Sequence, residues 1–167
     1  MKYKKTILRL LPWIMAAVVL FIILIMSSQD SVSSFGASGR ISRKLFNMLS
    51  PVFSSIQESS DRFLYIKVDH VVRKLAHFFL YYTLTAFIII GLRSIGAGKL
   101  IIFSVSFLIV LVIACLDEFL QSLTAGRTSA ATDVLLDMAG AVAAQISALF
   151  AIIARRMKFS EKSDRNM

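Results

Sequence analysis

Cysteine, proline and histidine are almost absent from this sequence, which has 167 residues. It contains one cysteine, two prolines and two histidines. The single cysteine, Cys115, cannot form an internal disulfide, and its apolar surroundings predict a lipid- or core-facing position. Neither Cys115 nor the two histidines have the paired spacing of a zinc site. We therefore expect no bound metal ion and no cofactor.

Charged residues are also scarce, at 17% of the chain, whereas 57% of the residues are hydrophobic. A soluble domain has about 45–50% apolar and about 25% charged residues. The excess of apolar residues indicates a protein that is embedded in a lipid bilayer. The net charge of +9 would suggest nucleic acid as a partner of a soluble protein, but a membrane topology explains it better. We expect no nucleic-acid partner.

Four segments are long and apolar enough to cross a membrane, which requires about 20 residues each. They cover residues 7–26, 75–92, 100–120 and 134–154. The first follows a basic start, but its apolar run is longer than that of a secretory signal, so we expect a retained helix. No long linker divides the chain. The sequence therefore predicts an all-α integral membrane protein with four transmembrane helices in a single domain, 1–167.

The basic residues predict the orientation of these helices. With the N-terminus in the cytoplasm, 11 of the 19 basic residues and only two of the 10 acidic residues lie on the inner side. The whole excess of +9 then lies on the cytoplasmic side, as the positive-inside rule requires. We expect a multi-pass protein of the cell membrane with both termini in the cytoplasm.

The first outer loop, residues 27–73, contains a second apolar pattern. Seven apolar residues recur at helical spacing and would share one face of a helix: Ile41, Leu45, Met48, Leu49, Val52, Phe53 and Ile56. Arg40, Arg43 and Lys44 lie off this face. This pattern is typical of an amphipathic helix in the lipid interface, although the same stripe would also suit packing on the membrane helices.

Polar residues stand at the outer ends of the predicted spans. His70, Lys74, His77 and Tyr81 follow spacings of four, three and four, which places them on one helical stripe. Charges are costly at mid-membrane, by about 2.5–3.5 kcal/mol each, so they are kept near helix ends, paired or turned inward. The position of this stripe predicts a polar site.

The third and fourth spans add acidic residues at the same side. Asp117, Glu118 and Gln121 end the third span, where the helix dipole disfavours acids, so a cation such as Lys74 or Arg127 should lie close. Asp133 and Asp137 begin the fourth span, in which Gly140 and Ala144 would permit close helix packing. The predicted ligand-binding residues are Lys74, His77, Tyr81, Asp117, Glu118, Gln121, Arg127, Asp133 and Asp137.

These residues allow two interpretations. They form either a charge network that locks three helices together, or a polar pocket for a headgroup. In the pocket, Glu118, Asp117 and His77 are candidate catalytic residues. A divalent metal bound with His77 is the weaker idea, because no paired-histidine spacing is present.

Three motifs, in order along the chain, resemble the VanZ-like family of bacterial membrane proteins. The first is Ser27-Ser28-Gln29, directly after the first span, and the second is Lys74-x-x-His77-Phe78-x-x-Tyr81. The third begins with Asp117-Glu118-Phe119-Leu120-Gln121 and continues with Gly126-Arg127-Thr128 and Asp133-x-x-x-Asp137-x-x-Gly140. The chain departs from the family at Ala125, where proline is common, and at Asp137, where asparagine is common. The resemblance implies a link to reduced susceptibility to the glycopeptide teicoplanin; it implies no particular reaction.

We consider three classes of function. The first is binding of a lipid or peptidoglycan precursor at the outer face, in which Lys74 and Arg127 would hold phosphate or carboxylate. The second is an enzyme that modifies a lipid headgroup, with Glu118 or Asp117 as general base and His77 as acid. A channel ranks last, because the sequence offers no continuous polar path across the membrane. The ligand and the oligomeric state are left open.

Overall fold

The computed structural model describes residues 2–28, 44, 61–123 and 131–164. These residues form α-helices α1 (Lys2–Ser28), α2 (Asp61–Ser94), α3 (Lys99–Ser122) and α4 (Ala131–Asp164), and none of the described residues is in a strand. The predicted all-α architecture is confirmed. The proposed amphipathic helix at 41–56 lies outside the described residues, apart from Lys44.

Each helix contains a segment that is long and apolar enough to span a membrane. These segments are Arg9–Ser28, Val68–Ser94, Lys99–Ser122 and Ala131–Lys158. The second begins seven residues earlier than the sequence predicted, so Lys74 lies well inside α2 rather than at its start. Large apolar side chains such as Phe21, Leu108 and Phe150 are exposed on the outside of the bundle, as is Cys115. An apolar exterior is the arrangement that lipid requires, and the chain is a multi-pass membrane protein.

Helix α2 is the centre of the bundle. It packs against all three other helices, most extensively against α4 and then α1. The buried share of its apolar segment is 44%, compared with 28% for each of the other three. Ile23, Leu84, Val110 and Ala141 contribute one buried core residue from each helix. Residues on α2 can therefore contact groups from every other helix.

Glycine allows α2 and α4 to approach closely. A Cβ atom at Gly140 would lie 2.3 Å from the carbonyl oxygen of Phe78 and 3.2 Å from the backbone nitrogen of Tyr82. Only a residue without a side chain fits this contact, and Ala144, one turn further along α4, is also buried. The predicted close packing at Gly140 is confirmed.

A short turn reverses the chain between α2 and α3. Gly96 has a φ angle of +84°, which glycine adopts without strain. The Ala97 amide donates a hydrogen bond to the Leu92 carbonyl oxygen at 3.2 Å, which ends α2. Contacts of Ser27 with Asp117 and of Lys74 with Asp133 show that all four helices alternate in direction. The end of α1, the start of α2, the end of α3 and the start of α4 meet at one end of the bundle.

Candidate functional site

Three buried polar side chains from three helices meet near that end. The Nδ1 atom of His77, on α2, lies 3.7 Å from Asp117 Oδ2 on α3 and 3.7 Å from Asp137 Oδ1 on α4. Their exposed fractions are 8%, 1% and 4% respectively. We call His77, Asp117 and Asp137 the His–Asp–Asp cluster. Its potential ligand atoms all lie within 4.8 Å of one another.

Asp117 also receives hydrogen bonds from neutral donors. The Ser27 hydroxyl on α1 donates to Oδ1, and the Gln121 amide, one turn along α3, donates to Oδ2 at 3.0 Å. A carboxylate in the last turns of a helix opposes the helix dipole. Because Asp117 is so deeply buried, these donors and His77 replace the water that would otherwise solvate it. All four helices therefore contribute to this part of the molecule.

Tyr81 lies one turn deeper on α2 than His77. Its side chain is fully buried, and its ring stacks against the His77 ring at a centroid distance of 6.4 Å. Its hydroxyl lies near Asp117 and Asp137. Among the residues that the structure describes, no group forms a hydrogen bond of normal geometry with that hydroxyl. The phenol therefore presents a buried polar atom to the carboxylates.

Two ion pairs lie nearer the end of the bundle. Lys74 Nζ donates to Asp133 Oδ1 at 2.7 Å, and these side chains are 36% and 28% exposed. Arg73 donates to Asp69 Oδ2, one turn earlier on α2, at 2.9 Å. Lys74 was one of two candidate cations, with Arg127, for the acids that end α3, but its ion pair is with Asp133. Arg73 and Lys74 are thus each paired with an acid outside the His–Asp–Asp cluster.

The structure brings most of the predicted site residues to one end of the bundle. Glu118 is half-buried there, whereas Arg127 lies outside the described residues. Sequence reasoning missed two members of this region, Asp69 and Ser27. Asp69 could have been found from its four-residue spacing to Arg73. Ser27 was noted only as part of a motif, because nothing local in the sequence connects it to a carboxylate ninety positions away.

The cluster has three chemical possibilities. A histidine beside two carboxylates can transfer protons. The same three side chains can coordinate a divalent metal ion, although the sequence predicted no metal site. They can also act only as a polar lock between helices. The partly exposed Lys74–Asp133 pair next to the cluster gives it a polar connection toward the end of the bundle.

The opposite end of the bundle contains a basic cavity. A cavity of about 400 Å³ there lies between α2, α3 and α4. Its walls are mainly apolar, its basic lining residues are Arg93, Lys99 and Arg155, and none of its lining residues is acidic. Sequence reasoning did not identify this cavity, since its walls consist of ordinary apolar residues of three separate spans. The buried acids thus lie at one end of the bundle and the basic cavity at the other.

Comparison with known proteins is consistent with this architecture. No curated protein and no protein of solved structure is significantly similar to the chain. The sequence profile of the VanZ/LLP1 family matches residues 12–153. This match extends from within α1 to near the end of the apolar part of α4 and includes every described residue of the site. The chain therefore belongs to the VanZ/LLP1 family.

Proposed function

We propose that this protein binds the polar headgroup of a lipid or cell-envelope precursor at the acidic end of its bundle, and that this end faces away from the cytoplasm. One observation carries the proposal. The partly exposed Lys74–Asp133 pair lies one helical turn from His77 on α2 and from Asp137 on α4, two members of the buried His–Asp–Asp cluster. A headgroup could thus enter from the membrane surface and meet polar groups at increasing depth.

The cost of these groups argues against a purely structural role. Each charge placed within the membrane interior costs several kcal/mol unless it is compensated. Helix contacts in this bundle are also made by cheaper means. Gly140 allows close backbone packing, and Gln145 on α4 donates to Ser106 Oγ on α3 at 3.1 Å. Several buried charges at one end are therefore better explained by a ligand than by packing alone.

The proposed roles follow from exposure. Lys74 is the more accessible member of its ion pair and can turn toward a phosphate or carboxylate at the membrane surface. Arg127, from the segment between α3 and α4, supplies a second cation in this proposal. Asp133 orients Lys74, and the buried acids exclude apolar groups. Because the VanZ family is associated with teicoplanin resistance, we propose that occupancy of this site changes how glycopeptides reach the cell surface.

The basic end of the bundle supports the proposed orientation. Arg93, Lys99 and Arg155 belong to short segments near helix ends, to which the positive-inside rule applies best. Attaching a reporter that is active only outside the cytoplasm to the C-terminus should give no signal. An active reporter at that position would reverse the orientation and place the site in the cytoplasm.

Photoreactive lipids test the binding site. The full chain, reconstituted in vesicles that contain a photoreactive phosphatidylglycerol or polyprenyl phosphate, should be labelled near Lys74. Lys74→Gln should reduce this labelling, whereas Lys158→Gln, an exposed lysine at the other end of α4, should not. Equal labelling of wild type and Lys74→Gln by both probes would contradict the proposed site.

An enzyme that modifies a headgroup is the second candidate. The observation in its favour is His77, which lies at the same distance from two carboxylates. A deletion strain carrying either wild type or Glu118→Gln distinguishes the two candidates. A lipid or precursor that accumulates only with the variant, detected by mass spectrometry at matched protein levels, would favour the enzyme. Unchanged profiles with altered teicoplanin susceptibility would favour binding without chemistry.

A further inference from the structure

We infer that His77, Asp117 and Asp137 bind one divalent metal ion, with one ligand from each of α2, α3 and α4. This inference does not depend on the proposed headgroup-binding function. Local spacing in the sequence gave no sign of it, because no two of the three ligands are in the same helix.

The distances suit a metal centre better than direct hydrogen bonds. Ligand atoms about 2.1 Å from a tetrahedral zinc ion lie about 3.4 Å apart. The His77 nitrogen is 3.7 Å from one oxygen of each aspartate, and all three ligand atoms lie within 4.8 Å. Hydrogen bonds between these atoms would be about 2.7–3.2 Å long. The spacing is therefore too wide for two good hydrogen bonds and close to that of three ligands around one ion.

The charges in the cluster also point to a cation. Two carboxyl groups this close together, away from water, can both stay ionised only if positive charge lies between them. In the described part of the chain, Arg73 and Lys74 pair with Asp69 and Asp133 instead. A divalent ion would match the charge of the two carboxylates.

The surroundings of the cluster resemble the outer shell of a metal site. Ser27 and Gln121 hold the Asp117 carboxylate in a fixed orientation, as partners of metal ligands generally do. The fully buried Tyr81 hydroxyl lies against Asp117 beside the cluster, without a hydrogen bond of normal geometry among the described residues. A metal-bound water would give this hydroxyl a partner.

The ligand set indicates the type of ion. One imidazole and two carboxylates suit Zn²⁺, Mn²⁺ or Fe²⁺ better than Mg²⁺ or Ca²⁺, which prefer oxygen ligands alone. Three protein ligands leave at least one position open, as in catalytic rather than structural zinc sites. An oxygen of a phosphate group could occupy that position. The ion would thus allow an acidic site to accept an anionic headgroup.

Metal binding by the purified full chain tests the inference. After removal of metal with a chelator in detergent, the protein is titrated with Mn²⁺, followed by electron paramagnetic resonance, and with Zn²⁺, followed by elemental analysis after gel filtration. We expect about one ion per chain. His77→Gln should weaken binding at least about tenfold, as should Asp137→Asn. His70→Gln, which removes the exposed histidine of the same helix, should bind as the wild type does.

Two results would overturn the inference. One is the absence of stoichiometric binding of either ion by the wild type, and the other is equal binding by wild type and His77→Gln. Spin-echo spectroscopy of Mn²⁺ bound to the wild type detects a coordinated histidine nitrogen without any substitution. It therefore decides the matter even if the variants fold poorly, because Mn²⁺ without a nitrogen ligand would place the ion elsewhere.

Discussion

Replacing Gly140 with alanine would test how closely the site depends on the contact between α2 and α4. The new Cβ atom would lie 2.3 Å from the Phe78 carbonyl oxygen, whereas carbon and oxygen normally approach to about 3.3 Å. The helices must therefore separate by about 1 Å. Because the obstacle is backbone rather than a flexible side chain, we take the upper end of the cost of overpacking, about 3 kcal/mol.

Helix propensity acts in the opposite direction. Alanine stabilises a helix by about 1 kcal/mol relative to glycine, so we expect Gly140→Ala to lower the free energy of unfolding by about 2 kcal/mol. Unfolding is measured by circular dichroism as the fraction of sodium dodecyl sulfate in detergent micelles is increased. The sign of the effect is informative, because propensity alone would make the variant more stable.

The same separation should disturb the site. Asp137 lies one turn before Gly140, and His77 is adjacent to Phe78, so the contact between Asp137 and His77 should lengthen. Gly98→Ala is the control, since a Cβ atom there meets nothing within 4 Å, and its effect at the start of α3 should stay within about 1 kcal/mol. A Gly140→Ala variant that equals or exceeds the wild type in stability would refute the close helix contact.

Three further predictions concern polar contacts. Ser27→Ala removes a hydrogen bond to the buried Asp117 carboxylate and should lower the free energy of unfolding by about 1–3 kcal/mol. The control is Ser28→Ala, whose hydroxyl donates to Ile25 of its own helix and which should change stability by less than about 0.5 kcal/mol. Equal effects of the two substitutions would contradict the Ser27–Asp117 hydrogen bond. Gln145→Ala removes the amide that donates to the Phe103 carbonyl oxygen at 2.9 Å and to Ser106 Oγ at 3.1 Å, both on α3. It should lower the free energy of unfolding by about 1 kcal/mol in the same assay, and an unchanged stability would argue against these contacts. In a double-mutant cycle, Lys74 and Asp133 should couple by less than about 1 kcal/mol, because both are partly exposed; a much larger coupling would show that the pair is buried in the membrane.

Much of the site could be predicted from the sequence because its polar residues are conspicuous in apolar surroundings. The charges of Asp117, Asp133 and Asp137 stand out at the predicted span ends, and the spacing of Lys74 and His77 places them on the same stripe of α2. The partner of each residue could not be predicted, because spacing constrains only residues of the same helix. Lys74 was therefore only one of two candidates for the acids of α3, and its ion pair is with Asp133 on α4.

The sequence by itself determined the helices and their membrane character. Runs of apolar residues long enough to cross a bilayer, bounded by basic residues, are sufficient for this, because a chain in lipid must satisfy its backbone hydrogen bonds internally. Tertiary structure alone decided which helix is central and which side chains meet. The relative rotation and depth of helices depend on contacts such as that between Gly140 and Phe78. Those contacts bring His77, Asp117 and Asp137 together, and they join residues far apart in the chain whose separation follows no local period.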